Sequence, residues 1–469
     1  MQEILGKIAD QARLRGRQVY VVGGAVRDFL LGRLSPDLDL AIDRDALLFG
    51  QHLATILPAR FIILDEGEEV GRLIWQGHLV DIAVFKERSE TIAEDLARRD
   101  FTVNAMAIPL ADWLAPDPSG AIIDPCGGQA DLHGHLLRLV YNNALQDDPL
   151  RILRGFRLQA HTGFRLDHGF LALAQKQKKL LARPAPERIS AELHLIFESS
   201  RAGVIVQAMA EAGILAQICP EIMSGFRVEQ PASHHLDVFE HNMAALRAMD
   251  DIIRQPEKYF PESAPVMTAY LKTGRHQRWL RWAALFHDLG KPHTLAMKEG
   301  RITFYQHDQV GAQLFITMAK RLKFANIDIN KVALLISQHM RPFHLCNIMR
   351  QGPLSAKACL RLVKNIGDDL PGLFLLAMAD SLAGQGEAKP PEMERELALL
   401  FGQVLRQREE HIAPVLAGPP LLTGHDLIKA GFVPGPFFKK ILDDLQQAQV
   451  TGEVVDRDGA RQWLARQKI

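Results

Sequence analysis

Asp37 and Asp39, two residues apart in the segment DLDL, are the first pair in the chain able to do chemistry. On an extended backbone residues i and i+2 share a face, so Leu38 and Leu40 turn inward while both carboxylates point at one place. Clustered hard oxygens suit divalent magnesium, and two such ions about 3.5–4 Å apart hold the attacking and leaving oxygens of a phosphoryl transfer. The preceding residues fit the same task. Val19 to Val22 is a short apolar run, Gly23-Gly24 breaks it, and Ala25 to Leu31 reads as a helix that Gly32 closes. Glycines let backbone N–H groups approach a triphosphate at the helix start, and Arg27 adds a charge-assisted donor. A second constellation is His287-Asp288 in RWAALFHDLGKP, where Gly290 and Pro292 stop an apolar helix and leave both side chains at its end, facing a cleft. Adjacent helical residues diverge by about 100°, so both reach one metal only if it lies over the seam between them.

The elements that position these residues are legible from period and composition. At 469 residues the chain exceeds one ordinary core and predicts two to four domains. A hydrophobic content of 47% with 23% charged residues is globular. No apolar run approaches the ~20 residues of a membrane span, and Met1 to Gln18 lacks a signal-peptide core, which predicts a cytoplasmic protein with no membrane partner. The cysteines Cys126, Cys219, Cys346 and Cys359 form no CxxC pair and read as buried thiols. Lys+Arg and Asp+Glu both total 55, so there is no global basic field and any RNA contact must be local. Ile4, Leu5, Ile8, Ala9 and Ala12 recur at helical spacing, and Asp45 to Leu57 reads as another helix. Phe61 to Leu64, Arg72 to Trp75 and Leu79 to Phe85 read as strands of a small mixed sheet. Asp81 interrupts the last run. It is either an edge carboxylate facing water or a buried one that must be paired or metal-bound. Arg254 to Arg275 reads as a weakly patterned insertion and Ala383 to Glu394 as a linker. Thr423 with Asp426 forms a capping box, GFVPGPFF a tight turn and Ile441 to Ala448 a helix. That turn, beside Lys439 and Lys440, either grips RNA phosphate or simply joins helices.

GGAVRDFLLG followed closely by DLDL resembles the signature of the DNA polymerase β-like nucleotidyltransferases, in the class containing bacterial tRNA CCA-adding enzymes and poly(A) polymerases. EDLARRDFTVNA is a close match to that family's second motif, and Asp124-Pro125 with Gly127-Gly128 is similar to its DPxGG turn. The resemblance implies that Asp37, Asp39 and Asp81 are catalytic, with Asp37 and Asp39 holding magnesium. It also implies nucleotide binding by Gly23, Gly24, Arg27, Asp28, Arg98, Arg99, Asp100 and Asn104. Chemically, Arg98 and Arg99 suit triphosphate or primer phosphate and Asp100 an arginine or the ribose; the plain rival is an i,i+4 pair of Glu94 with Arg98.

From Asp147 the pattern turns helical. Asp148 and Arg151 are three apart and so read as one helical face, continued by Arg154 and Arg157. A carboxylate there accepts from the exocyclic amine of cytosine or adenine while a guanidinium donates to ring acceptors, a combination that suits neither uracil nor guanine. An intrahelical ion pair is the alternative. DPLRILRGFR resembles the family's protein-templating helix, which implies selection of CTP and ATP without a nucleic-acid template. Many relatives carry Glu where Asp147 stands. Residues 151–190 hold nine Lys or Arg against Asp167 and Glu187, a local basic patch. It makes Arg165, Lys176, Lys178 and Lys179 candidates for binding the tRNA acceptor end, with a solvated helix face as the rival.

HDLGKP, with His241 upstream, His307 and His339 downstream and Asp380 last, resembles the ligand order of HD-superfamily phosphohydrolases. This implies a metal site of His241, His287, Asp288, His307, His339 and Asp380, for magnesium or a transition metal. The expected fold is α+β: a small mixed-sheet polymerase β-like nucleotidyltransferase head at 1–140, an all-α neck at 141–222, an α-helical HD domain at 223–382 and a helical tail at 395–469. The expected function is a tRNA nucleotidyltransferase using CTP and ATP, with a possible HD phosphodiesterase. Poly(A) polymerase is a rival, although Asp65, Glu66, Glu68 and Glu69 make acidic the region where its bacterial members carry a basic run. A third reading is an HD phosphohydrolase whose head only binds RNA, against which the intact DLDL and RRD stand. Phe85 reaches Glu94 through only KERSETIA, without the flexible loop usual in complete CCA-adding relatives, so CC-only addition is a further alternative.

Overall fold

The computed structural model describes residues 1–33, 37–86 and 89–467; the Asp37 side chain lies outside the description, as do Glu87 and Arg88 of the short connection. The chain divides into two compact units, one of residues 1–196 with 209–218 and one of 197–208 with 219–469.

In the first unit β1 (Val19–Val22), β2 (Asp37–Ile42), β3 (Arg60–Asp65), β4 (Val70–Trp75), β5 (His78–Val84) and β6 (Ala107–Pro109) form one mixed sheet in the order β3-β4-β5-β2-β1-β6. The expected period-2 alternation holds on β2, where Leu38 and Leu40 are buried and Asp39 is exposed. The inward face packs Ile4, Leu5 and Ile8 of helix α1 (Gln2–Leu14) and Phe49 and Leu53 of helix α3 (Ala46–Ile56) against Val21, Leu40 and Ile82. Helix α2 (Gly24–Leu30) follows β1 directly. On the opposite face, Ile92 and Leu96 of helix α4 (Ile92–Ala97) join Val22, Ala41 and Phe85 in a smaller cluster. This cluster covers the sheet beside Ala41 and leaves Asp39, two residues earlier on the same face, at its open margin.

The second unit is helical apart from a two-stranded hairpin, Ala296–Lys298 with Arg301–Thr303. Two expectations are corrected here. The weakly patterned 254–275 segment is helical at Pro256–Tyr259 and Ala264–Leu271, because Met267, Tyr270 and Leu271 are buried. The 383–394 segment is tied down, with Gly386 N–H donating to Ser233 O (3.0 Å) and Ala388 N–H to Ala232 O (3.0 Å). The helix that follows, Met393–Gln407, packs Phe401 on Phe374 with ring centroids 5.1 Å apart, so it joins the helical body. Residues 422–464 form a small core of their own around Leu427, Leu445 and Trp463, and Thr423 and Asp426 make the expected capping box.

Phe61 fits its place only because two neighbours lack side chains: a Cβ at Gly50 of α3 or Gly71 of β4 would stand 2.1 Å from its ring. Gly71→Ala should therefore destabilise the head by roughly 1–3 kcal/mol through overpacking. Thermal and urea unfolding read the loss, and in the Phe61→Leu background the same substitution should cost clearly less. An equal cost in both backgrounds would place the strain elsewhere.

Candidate active site and metal centre

The head site is built where β1 turns into α2. Gly23 has φ +72°, in the region only glycine adopts freely, and a Cβ there would lie 3.3 Å from Arg99 Nη1 and 3.7 Å from Asp39 Oδ2. The missing side chain thus lets a cation and a carboxylate converge on one backbone turn. Asp39 is in register with Val22 on β1 and with Asp81 on β5, so the two carboxylates are side by side on one face. Both Asp81 oxygens accept from Arg72, Nε at 2.7 Å and Nη2 at 2.8 Å. This answers the edge-or-paired question: Asp81 is paired, and a metal would have to share it with Arg72. Arg72 carried no motif and was missed; its signal was its place opposite Asp81 across a β hairpin.

A polar chain runs from α2 to the neck. Arg27 Nε donates to Asp28 (2.9 Å) and its Nη1 to Asn104 Oδ1 (2.8 Å), and Asn104 Nδ2 reaches Asp100 Oδ1 at 3.4 Å. Asp100 accepts from the Phe101 N–H at 2.8 Å and pairs with Arg154 at 3.1 Å, which bears out the reading that it fixes an arginine. Burial opposes its charge, but Arg154, the Phe101 N–H and Lys86 overcome this and hold the carboxyl well below the usual range. Glu94 closes a capping box with Thr91, and Asp95 makes an i,i+4 pair with Arg99 at 2.9 Å.

The shared helical face of Asp148 and Arg151 is corrected. Asp148 is extended (φ −134°, ψ 99°), the helix begins at Arg151, and Asp148 pairs with Arg188 at 3.0 Å. Arg151 is buried and donates to Tyr141 Oη (2.9 Å), Ala144 O (3.3 Å) and Arg98 O (2.9 Å). The intrahelical ion pair is therefore absent, and the two side chains stay separately anchored. Arg157 is held by Glu192 at 2.6 Å. Arg165, Lys176 and Lys179 are exposed, while Lys178 is half-buried beside Gly213.

In the helical unit all six expected ligands converge. His241 lies on the helix Val238–Arg254, His287 and Asp288 directly after Gly274–Phe286, His307 at the start of His307–Arg321, His339 directly after Asn326–Gln338, and Asp380 on Leu370–Ala383. Gly290 permits this: a Cβ there would stand 2.1 Å from His307 O. The Nδ1 atoms of His287, His307 and His339 lie 3.0, 2.8 and 2.7 Å from the carbonyls of Ala284, Phe304 and Ile336. A carbonyl only accepts, so each Nδ1 carries a proton and each Nε2 is the atom turned inward. Nε2 of His241 faces that of His287 at 3.2 Å, and Nε2 of His307 faces that of His339 at 3.2 Å. Asp288 lies between the pairs, 3.3 Å from His287 and 3.3 Å from His307. Burial keeps His241 and His339 below the usual imidazole range, whereas Asp288 and Asp380 outweigh it at His287 and raise that imidazole to about 10, so that a cation bound there would displace its Nε2 proton. Imidazole nitrogens crowded around carboxylates in a buried pocket form a donor set that fits divalent cations. His287 and Asp288 are both buried, and a cavity of about 510 Å³ meets the cluster at Asp288, His307 and Asp380. His234, missed as a ligand, also lines that cavity and groups with His241 and Asp380.

Comparison with known families agrees with this division of chemistry. The Poly A polymerase head domain matches residues 19–138, the probable RNA and SrmB-binding site of polymerase A residues 163–226, and the HD domain residues 265–383. An A-adding tRNA nucleotidyltransferase of Deinococcus radiodurans is 33% identical over 454 residues, covering 95% of this chain and 94% of that protein. The chain belongs to the tRNA nucleotidyltransferase family. Other tRNA nucleotidyltransferases are nearly as similar: a CC-adding enzyme of Thermus thermophilus is 32% identical over 96% of this chain and 93% of its own, and a multifunctional CCA protein of Pseudomonas aeruginosa is 31% identical over 72% and 78%. The fold matches a CCA-adding enzyme solved with CTP (TM-score 0.64, 21% identity, 100% of this chain and 95% of that one). It also matches the Thermotoga maritima CCA-adding enzyme complexed with tRNA (TM-score 0.61, 22% identity, 99% and 95%).

Asp100 offers a test of how the head of this tRNA nucleotidyltransferase is joined. Asp100→Asn should cost about 2 kcal/mol, less than the ~3–5 kcal/mol of a fully buried broken pair, because Arg154 keeps 34% of its side chain exposed. A depressed carboxyl pKa contributes stability above its unfolded value and loses it as pH falls through the folded one. The difference between parent and variant, read by urea unfolding, should be flat from pH 5 to 8 and shrink below about pH 4.

Proposed function

We propose that this tRNA nucleotidyltransferase adds C, C and A to the tRNA 3′ end from CTP and ATP without a nucleic-acid template. The observation that carries the reading is the Gly23 turn, on which Asp39 and Arg99 converge. Asp37 and Asp39 would hold two magnesium ions, which when bound activate the tRNA 3′-hydroxyl and stabilise departing pyrophosphate. Gly24 brings a backbone N–H to the triphosphate, and Gly23, whose own N–H donates to Met106 O (3.2 Å), lets the ligand approach the turn. Arg27, pinned by Asp28 and Asn104, adds its charge at a fixed angle. Asp81 with Arg72 adds a carboxylate whose charge is already balanced, and Arg98 and Arg99 supply positive charge at the margin. Asp148 accepts from the exocyclic amine and Arg151 donates to the base, while Arg154 and Arg157 brace the same helix. Arg165, Lys176, Lys178 and Lys179 carry the acceptor end of the tRNA. Such a substrate places the enzyme in the cytoplasm.

Relatives that add A, CC or CCA stand at 33, 32 and 31% identity, so similarity alone does not choose among them. Asp37→Ala and Asp39→Ala should each lower incorporation by at least ~100-fold with an unchanged unfolding midpoint; normal incorporation would remove the site assignment. With the parent enzyme, tRNA ending at the discriminator base should receive C, C and A, and tRNA ending in CC should receive A. Arrest after two cytosines would replace the proposal with CC-only addition, and use of the second tRNA alone with A-only addition.

For the helical unit we propose phosphoester hydrolysis, for example of a 2′,3′-cyclic phosphate on a damaged tRNA end. His241, His287, Asp288, His307, His339 and Asp380 would hold magnesium or transition-metal ions, which when bound polarise the phosphoryl group and activate water. Asp288→Ala should lose bound metal, read by elemental analysis, and phosphodiesterase activity, while nucleotide addition continues. Parental hydrolysis by this variant would make the centre structural only.

A further inference from the structure

Arg151 is aimed by a two-residue relay that reaches the protein surface. Its Nη1 donates to Tyr141 Oη at 2.9 Å, and that phenol donates to Asp147 Oδ2 at 2.8 Å. The direction of the relay follows from proton inventory. A phenol has one proton and an ionised carboxylate only accepts, so the proton goes to Asp147 and an oxygen lone pair is left for the guanidinium. Burial and the bond to Asp147 both keep Tyr141 protonated at neutral pH. Asp147 is exposed, Tyr141 half-buried and Arg151 buried, so the relay holds an interior cation from outside.

The remaining contacts of Arg151 show what the relay adds. Nη2 donates to Arg98 O at 2.9 Å, while the second acceptor of Nη1, Ala144 O, is 3.3 Å away and weak. Among the described residues no acceptor is bonded to Nε, which leaves a donor on the planar group for a ligand. A guanidinium is rigid, so fixing both terminal nitrogens fixes the direction of every other N–H. Removing the phenol oxygen would leave one strong anchor and a freedom to rotate about it.

We propose that Tyr141 and Asp147 are positioning residues that set nucleotide discrimination by orienting Arg151, without touching the nucleotide themselves. This rests on the reading of Arg151 as a base-selecting group. Glutamate, one methylene longer, is also able to accept from the tyrosine hydroxyl, which makes Asp147→Glu the conservative variant.

The test compares kcat/KM for CTP against UTP on tRNA ending at the discriminator base. This ratio is unaffected by a change in the active fraction, because both nucleotides meet the same molecules. Tyr141→Phe should lower the ratio about three- to tenfold, the worth of one hydrogen bond, mainly through a higher KM for CTP and a lower one for UTP. Asp147→Ala should lower it in the same direction and Asp147→Glu should restore it; Asp147 is at the surface, so these variants report even where Tyr141→Phe folds poorly. Arg151→Ala is the control. If it loses discrimination while Tyr141→Phe and Asp147→Ala keep the parental ratio, the relay is overturned and the base-selecting reading stands. If Arg151→Ala itself keeps the parental ratio, the base-selecting reading falls and the relay with it.

Discussion

The ion pair between Asp100 and Arg154 is the constraint on which the head site depends. Asp100 sits in the RRD segment of the head and Arg154 on the first long helix of the neck. Burying a carboxylate is costly unless it is paired, so these two segments have little freedom to separate. Through Asn104 the same carboxylate reaches Arg27 at the start of α2, and Arg151, one turn before Arg154, reaches the carbonyl of Arg98. The groups assigned to phosphate and those assigned to the base are therefore braced against one another by bonds to a single short segment, residues 98–104. Positioning of this kind is worth more to phosphoryl transfer than any single covalent role, because the reaction asks the protein mainly for geometry and charge.

How much of this was legible in the sequence depended on whether a residue acts through local period or through a distant partner. Asp39 was readable because alternation on one strand sets its face, and Gly23 because a left-handed turn leaves few alternatives. Arg72 was not, since nothing local says that it lies across from Asp81; the hairpin register decides that. Asp148 is the instructive error. It precedes Pro149, and a residue before proline is pushed out of the helical region, so a helical face running through Asp148 conflicted with a signal present in the dipeptide itself. The 383–394 segment fails differently. Its glycines suggested flexibility, whereas Gly386 is needed for close approach: a Cβ there would lie 2.3 Å from Ala232 O. Composition cannot separate a glycine that loosens a chain from one that lets two chains touch.

The helical centre follows another logic. Its six ligands are spread from residue 241 to residue 380, yet each sits on a helix or at its margin, so rigid rods deliver side chains to one point. Backbone carbonyls at the helix ends hold three of the four histidine tautomers, which spares the cluster any need for side-chain partners. Such a set gathers imidazole nitrogens, facing in pairs at 3.2 Å, around two buried carboxylates, a combination that favours positive charge. The sequence carried the ligand order because the order is a topological property. It did not carry His234, whose approach depends on the tethered 383–389 segment.

Selecting a base with protein groups places the specificity in very few bonds. With Asp148 in the proposed reading role, exchanging cytosine for uracil replaces an amine donor with a carbonyl acceptor and leaves that carboxylate facing an acceptor. A mispaired polar group of this kind costs about 1–3 kcal/mol, which is roughly five- to 150-fold in rate. Orientation of the reading groups is worth a comparable amount, so a small rotation of Arg151 changes selectivity as much as the loss of a contact. Relatives named as an A-adding enzyme, a CC-adding enzyme and a multifunctional CCA protein stand within two percentage points of identity to this chain. On the proposed reading of Arg151, the residues that set the angle at which this buried guanidinium meets the base stand behind the reading groups, outside the motifs that identify the family.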